Sequence, residues 1–92
     1  MPHPVELNNI HTMLPVIFAD WNNQDPQGRV RFTNGTFADI EKLNLILTFG
    51  LKVFLDNGEG LAIEGVVEFS KEENVWAARF DNEKLNNIFP NK

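Results

Sequence analysis

Residues 50–80 predict an antiparallel β-meander, which constrains the fold more than any other feature of the sequence. The apolar run Leu51–Leu55 ends at the turn sequence Asp56-Asn57-Gly58-Glu59-Gly60. Asn-Gly is a strong hairpin signal because both residues tolerate positive φ. Two further strands follow, Leu61–Phe69 and Val75–Phe80, and the polar residues 70–74 form the turn between them. A meander of this kind fixes a class of fold, but it does not specify a chemistry.

The residues before the meander predict two more strands and a short helix. A first strand is centred on Ile17, and Arg29–Phe32 alternates polar and apolar residues, as a half-buried strand does. Thr36 predicts the N-cap of a helix that ends near Asn44, a residue that tolerates the left-handed C-cap conformation. The predicted fold is therefore α+β, with a small, bent, five-stranded antiparallel sheet or partly open barrel and one short helix. The period of the strands and the helix predicts a core of Ile40, Leu43, Val53, Leu55, Leu61, Ile63, Val67, Phe69, Trp76 and Phe80.

The length of 92 residues predicts one independent core. We expect residues 1–12 to form a flexible N-terminal arm and residues 13–92 to form a single α+β domain. The chain has no cysteine, which excludes disulfides and thiolate chemistry and fits a reducing cytoplasm. No apolar run approaches the ~18 residues of a membrane span, and the N-terminus lacks a secretory pattern. These features predict a cytoplasmic protein without a membrane segment.

The balance of charges argues against polyanionic partners. Thirteen acids against eight bases give a net charge of −5 at pH 7. The overall field of the protein therefore repels nucleic acids and anionic membranes. We expect neither as a partner.

No catalytic, metal or cofactor motif stands out in the sequence. His3 and His11, the two histidines, lie eight residues apart; Glu6 and Asp20 could join them, but nothing in the sequence enforces it, so we expect no metal site. Gly58-Glu59-Gly60 lacks the lysine and the helix that follow in a phosphate-binding loop. No Ser or Thr stands beside a histidine–acid relay. We therefore expect a protein that is not an enzyme and has no cofactor.

Five short motifs between residues 16 and 81 carry a resemblance. In order, they are Asp25-Pro26-Gln27-Gly28-Arg29-Val30-Arg31, Gly35-Thr36 with Asp39, Glu41 and Leu43, Gly50-Leu51, Glu64-Gly65-Val66-Val67-Glu68, and Trp76-Ala77-Ala78-Arg79. In this order the motifs resemble a family of small, uncharacterised bacterial proteins. The resemblance implies no activity, cofactor or partner. The segment Ile46-Leu47-Thr48-Phe49 departs from the family pattern, because it is more apolar than the family's segment before the glycine.

Two pairs of like-charged residues are candidates for a polar site. Glu64 and Glu68 fall on one face of the second meander strand unless Gly65 forms a bulge, so they could act as an acid–base pair. Arg29 and Arg31 share a strand face and could bind an anion. The simpler interpretation is a set of cross-strand salt bridges with residues of opposite charge. The sequence leaves open whether either pair forms a functional site.

The link between the helix and the meander carries the best candidate for a binding surface. One or two of Leu45, Ile46, Leu47 and Phe49 can fold inward over the sheet, but all four cannot. With Phe54 on the outward face of the next strand, Ile46 and Phe49 predict an exposed apolar patch that binds a partner. The predicted function is a non-catalytic protein-interaction module that self-associates through this patch. The alternatives are a link buried as an extra strand or helical extension, and a small-ligand or anion-binding domain that resembles a β-barrel.

Overall fold

A five-stranded sheet curled into a half-barrel forms the body of the protein. The structure is a computed structural model and describes residues 14–88, with side chains for residues 14–85. The strand order is β1-β3-β4-β5-β2. The described elements are β1 (Val16–Phe18), β2 (Val30–Arg31), α1 (Asn34–Lys42), β3 (Lys52–Asp56), β4 (Ala62–Ser70), β5 (Val75–Phe80) and α2 (Asn82–Ile88). This architecture confirms the predicted α+β class and bent five-stranded sheet, and a second short helix, α2, follows β5. The predicted arm, residues 1–12, lies outside the described residues.

One strand pair corrects the prediction of a purely antiparallel sheet. β1 pairs with β3 in parallel, in the register Val16↔Phe54 and Ile17↔Leu55, whereas the other described strand pairs are antiparallel. Parallel neighbours need a long crossover connection. The segment between β1 and β3, which contains β2 and α1, supplies that connection. Hydrophobic alternation identifies a strand but not its direction, so the pattern of the sequence did not reveal the parallel pair.

The meander has the predicted strands and a different turn. β4 pairs with β3 and with β5 in uninterrupted antiparallel register, so Gly65 forms no bulge. The hairpin loop between β3 and β4 spans residues 57–61, one residue later in the chain than the predicted turn, residues 56–60. Gly58 and Gly60 adopt positive φ, but Asn57 does not. The loop therefore has the left-handed conformation at its two glycines and not at Asn57.

The core lies on the inner face of the half-barrel. Ile40, Val53, Leu55, Ile63, Val67 and Phe80 are buried, as predicted. Leu61 and Trp76 are partly buried against the core, and Phe69 is also half-buried. Leu43 is 45% exposed, so its assignment to the core is wrong: it is the C-cap of α1 and lies beyond the packed turns of the helix. Further core residues come from outside the meander, namely Ile17, Ala19, Trp21, Val30, Phe32 and Leu85.

Helix α1 begins at Asn34, before the predicted start. Thr33 is the N-cap with extended backbone, and its N–H donates to Thr36 Oγ1 at 3.0 Å. Thr36 is buried, and its hydroxyl donates to the carbonyl oxygen of Phe18 in β1 at 2.8 Å. The prediction that Thr36 is the N-cap is therefore wrong. Its hydroxyl instead joins the first turn of the helix to the edge strand of the sheet.

The same turn of α1 covers part of the open edge of β1. The backbone N–H of Phe18 donates to Asp39 Oδ2 at 2.8 Å, so the helix binds both the N–H and the carbonyl of Phe18. A Cβ atom at Gly35 would lie 3.1 Å from the Phe18 ring, and glycine permits this close approach. An open strand edge can pair with another chain. At Phe18 that pairing is blocked by the side chains of α1.

Candidate interaction surface

The link between α1 and β3 begins in a defined conformation. Asn44 has a φ of 56°, which confirms the left-handed conformation predicted for it, and it is the residue directly after the C-cap, Leu43. The N–H of Asn44 donates to the carbonyl of Glu41 at 3.1 Å, and the N–H of Leu45 donates to that of Ile40 at 3.0 Å. These two hydrogen bonds form a Schellman motif, in which the residue after the left-handed position packs back on the helix. The motif turns Leu45 toward the core.

The link also ends in a defined conformation. Gly50, with a φ of 95°, donates its N–H to the carbonyl of Val67 at 2.7 Å, and the N–H of Val67 donates to the carbonyl of Leu51 at 2.8 Å. This is the hydrogen-bond pattern of a G1 β-bulge, which requires glycine at its first position. The N–H of Leu51 also donates to the carbonyl of Thr48 at 3.1 Å, so residues 48–51 form a β-turn. Phe49 therefore lies at the corner of a tight turn.

Between the Schellman motif and the bulge, two apolar side chains point inward and two point outward. Leu45 and Leu47 are partly buried against the core, whereas Ile46 is 82% exposed and Phe49 is 65% exposed. Ile46 lies between these two inward-packed leucines in the sequence. Inward packing of Leu45 and Leu47 therefore directs Ile46 to the outside. Residues 45–48 form neither strand nor helix, so the alternative of a buried extra strand or helical extension is wrong.

We call the exposed side chains of Ile46 and Phe49, together with that of Leu43, the link patch. Ile46 and Phe49 are the most exposed large hydrophobic residues in the part of the chain that the structure describes. Residues 43–51 contain no charged side chain, and no other uncharged run within residues 14–88 is as long. The link patch is therefore apolar and lies in a segment without charged residues, which Lys42 and Lys52 flank.

Phe54, the third predicted binding residue, lies apart from the link patch. It is half-buried on the outer face of β3, where it pairs with Val16 of β1 and Glu64 of β4. Val16 is 45% exposed, so the two residues form a second apolar spot on the sheet. Phe54 follows Leu51 by three residues, about 10 Å further along the strand. The structure thus joins Ile46 and Phe49 in one link, and it places Phe54 with Val16.

The candidate charged residues form an ion-pair network on the outer face of the sheet. Arg29 is only 5% exposed, and its Nε donates to Asp25 Oδ2 at 2.8 Å while Nη1 donates to Glu68 Oε1 at 3.2 Å. Arg79 donates to both carboxylate oxygens of Glu68, at 3.0 and 3.1 Å. The Glu68 carboxylate is therefore engaged by two arginines. We interpret this network as structural.

The remaining candidate charges are also placed as structural residues. Arg31 binds both carboxylate oxygens of Glu73, each at 2.7 Å. Glu64 shares the outer face with Glu68, but four residues of strand separate them by about 13 Å, too far for a close acid–base pair. Arg29 is thus paired with Glu68 of β4, and Arg31 with Glu73 between β4 and β5, so salt bridges rather than a bound anion account for the two arginines.

Hydrogen bonds lower the pKa values of the two carboxylates bound to Arg29. Burial alone would raise the pKa of Asp25, but the backbone N–H and guanidinium of Arg29 and the N–H of Gln27 stabilise the charged form and bring the pKa below its usual 3.8. For Glu68, the hydrogen bonds from Arg79 lower the pKa against the opposing effect of burial, and Arg29 lowers it further. Both carboxylates therefore stabilise the folded state in their charged form.

We expect this network to make the protein sensitive to acid. A carboxylate whose pKa is lower in the folded than in the unfolded state contributes stability above its unfolded pKa, and this contribution is lost as the pH falls through the folded pKa. The loss should therefore begin near the usual values of 3.8 for Asp25 and 4.5 for Glu68 and continue below them. Urea unfolding from about pH 6 to about pH 3 measures it. An Asp25→Asn variant should lose less stability over this range; an equally steep loss would contradict the assignment.

A cavity of about 320 Å³ lies beside the end of β1 and the β3–β4 loop. Its lining includes Asp20, Trp21, Asn22, Asn57 and Glu59. Both charged side chains in this lining are acids, which disfavours an anionic ligand. The indole nitrogen of Trp21 has no hydrogen-bond partner among the described residues. Because this nitrogen is buried, a ligand in the cavity would not reach it. The sequence-based alternative of a small-ligand domain stays a prediction.

Residues 14–88 contain no group of three or more His, Cys, Asp or Glu side chains placed to hold a metal ion. His3 and His11 lie outside this range. Within the same range, no helix combines the length and the apolar character needed to cross a bilayer.

The comparisons with known proteins identify no relative. No family model matches the chain, and comparisons with curated proteins and with solved structures find no match. The resemblance of the motifs to a family of small bacterial proteins therefore stays an expectation.

Proposed function

We propose that the protein is a non-catalytic interaction module that associates with a second copy of itself through the link patch. The observation that carries this proposal is the exposure of two large apolar side chains, Ile46 at 82% and Phe49 at 65%, within one short link. Large apolar side chains held in water favour contacts that remove them from it. A patch of this kind is complementary to an identical patch on a second copy, as a two-fold contact requires.

The conformation of the link supports binding with little loss of entropy. The Schellman motif at Asn44 and the bulge at Gly50 hold both ends of the link by backbone hydrogen bonds. A surface that is already ordered pays a smaller entropic penalty when it binds. Ile46 and Phe49 are thus presented by a rigid backbone rather than by a loop that must first become ordered.

The distribution of charge favours a second copy over a basic partner. Each chain carries a net charge of −5, so two copies repel each other over most of their surfaces. The uncharged segment 43–51 lets two copies approach with the least repulsion. A basic partner would instead gain from binding to the acidic parts of the surface. Phe54 and Val16 form a separate apolar spot on the sheet, and we assign Phe54 a peripheral role in the contact.

Loss of the link patch should abolish the association. The patch is small compared with a standard interface, so we expect a dissociation constant of about 0.1–1 mM. Sedimentation equilibrium of the full chain, at concentrations up to about 1 mM, should detect dimers in the wild type. The double variant Ile46→Asp with Phe49→Asp should stay monomeric, because it places two like charges on each side of the contact. Its thermal melting should change little, since both side chains are exposed.

Thr48→Asp is the matched control. Thr48 is exposed in the same link, so this variant adds a charge without removing an apolar side chain. It should weaken the association less than the double variant does. A wild type that remains monomeric over the whole concentration range, or a double variant that associates like the wild type, would overturn the proposal.

A further inference from the structure

The chain contains two Asn-Gly sequences in different structural settings. Asn34 and Gly35 are the first two residues of helix α1. Asn57 and Gly58 lie in the β3–β4 loop, where Gly58 is exposed and adopts a φ of 85°. The two sites share the same local chemistry, since each asparagine precedes a glycine that offers little steric hindrance. Any difference in their reactivity in the folded protein must therefore come from the structure around them.

The Asn57 amide is surrounded by groups that assist attack on its carbonyl carbon. The N–H of Gly58, which carries the nucleophilic nitrogen, donates to Asp56 Oδ1 at 2.8 Å. The N–H of Glu59 donates to Asn57 Oδ1 at 2.9 Å. A carboxylate that accepts a hydrogen bond from the nucleophilic N–H can act as a general base. A backbone N–H that donates a hydrogen bond to the side-chain carbonyl oxygen stabilises the negative charge that develops on this oxygen during the attack.

We propose that Asn57 is a site of spontaneous modification, at which the asparagine converts to aspartate and isoaspartate through a cyclic imide. The Gly58 nitrogen forms a bond to Asn57 Cγ as its proton passes to the Asp56 carboxylate. The Cγ–Nδ2 bond then breaks, and Nδ2 leaves as ammonia with the transferred proton. Water opens the imide at either carbonyl, which gives aspartate or isoaspartate. The step requires no oxidant, reductant or cofactor, and it is independent of the proposed self-association.

The same step is suppressed at Asn34. Ring closure needs the next backbone nitrogen to rotate toward Cγ of the asparagine, and the dihedral angles of an α-helix hold it away. The N–H of Phe37 donates to the carbonyl of Thr33 at 3.0 Å, which closes the first turn around Asn34. Gly35 also lies against the Phe18 ring. Reaction at Asn34 therefore requires opening of the helix start, whereas Asn57 lies in an exposed loop held by local hydrogen bonds.

The modification has a local consequence. Asn57 lines the cavity beside β1, together with the acids Asp20 and Glu59. A new carboxylate at residue 57 adds a third acid to that lining. The modified protein is therefore more negative at the cavity, which favours positively charged groups there.

Peptide mapping by mass spectrometry tests the proposal on the full chain incubated at neutral pH. The conversion of an amide to an acid at Asn57 should proceed more than about tenfold faster than at Asn34 in the folded protein. In urea the two rates should become similar, because both sites are Asn-Gly. The proposal is overturned if Asn34 reacts as fast as Asn57 in the folded state, or if the difference persists in urea.

Two variants separate the proposed general base from loop mobility. Asp56→Asn keeps an oxygen acceptor for the Gly58 N–H but removes the base, and it should slow the reaction at Asn57 by at least about threefold. Asp20→Asn removes another carboxylate of the same cavity lining and leaves the hydrogen bonds from Gly58 N–H to Asp56 and from Glu59 N–H to Asn57 in place, so the rate should change less. Circular dichroism confirms that each variant is folded. An unchanged rate in Asp56→Asn would eliminate the assisted mechanism.

Discussion

Gly65→Ala is expected to lower the free energy of unfolding by about 2–3 kcal/mol, a large loss for the addition of one methyl group. Gly65 is buried in the central strand β4. A Cβ atom there would lie 2.5 Å from Leu55 Cδ1 and 3.0 Å from the backbone carbonyl oxygen of Arg79. Leu55 has no exposed surface, and the Arg79 carbonyl belongs to the neighbouring strand, so neither can move freely. Urea unfolding of the variant measures the loss.

A double-mutant cycle with Leu55→Val tests this origin of the loss. Valine lacks the Cδ1 atom that the new methyl group would meet, so Gly65→Ala should cost less in the Leu55→Val background than in the wild type. Glu64→Ala, at the exposed neighbouring position, should change stability little and serves as a control. Equal costs of Gly65→Ala in the two backgrounds would contradict the proposed overlap.

Arg29→Ala is expected to lower the free energy of unfolding by about 3 kcal/mol. The variant leaves the buried carboxylate of Asp25 without its guanidinium partner and removes one of the two arginines from Glu68. An uncompensated buried charge costs far more than the pair it belonged to contributes. The Asp25 side chain is 1% exposed, so water cannot readily replace the lost partner. Equilibrium unfolding at neutral pH measures the effect.

Arg31→Ala is the matched control for Arg29→Ala. Arg31 lies two residues further along the same segment and binds the Glu73 carboxylate with two short hydrogen bonds. Both side chains of this pair are about one-third exposed, so solvent screens their interaction. We expect a clearly smaller loss than for Arg29→Ala. Equal losses in the two variants would show that burial does not decide the effect.

The sequence predicted those parts of the fold that depend on local patterns. Alternation and turn residues were sufficient for the meander, and the left-handed tendency of asparagine was sufficient for the helix end at Asn44. The predicted start of α1 was wrong by one helical turn, because the Thr36 hydroxyl donates a hydrogen bond to the carbonyl of Phe18, which lies eighteen residues earlier in the chain. Contacts over such separations leave no periodic signal in one sequence. The parallel pairing of β1 with β3 was missed for the same reason.

The candidate site was predictable in part. Four apolar residues in a short link were enough to predict that some would be exposed, and the exposure predicted for Ile46 and Phe49 is confirmed. The G1 bulge at Gly50 was not predicted, although a glycine directly before a strand is a signal for one. The buried pair of Asp25 and Arg29 was also missed, because the pairing depends on how the loop folds back over the sheet.

The parallel pairing of β1 with β3 also has a consequence for the order of folding. β3, β4 and β5 are neighbours in sequence and can pair as soon as they are synthesised, because closing a short loop is fast. β1 is made first, but its partner is Lys52–Asp56, so it must wait until more than half of the described chain has emerged. Once β3 has been made, its outer edge stays open until the long crossover through β2 and α1 closes and β1 docks. This open edge follows the apolar link directly in the sequence. We therefore expect the newly made chain to be most vulnerable to aggregation just before β1 docks.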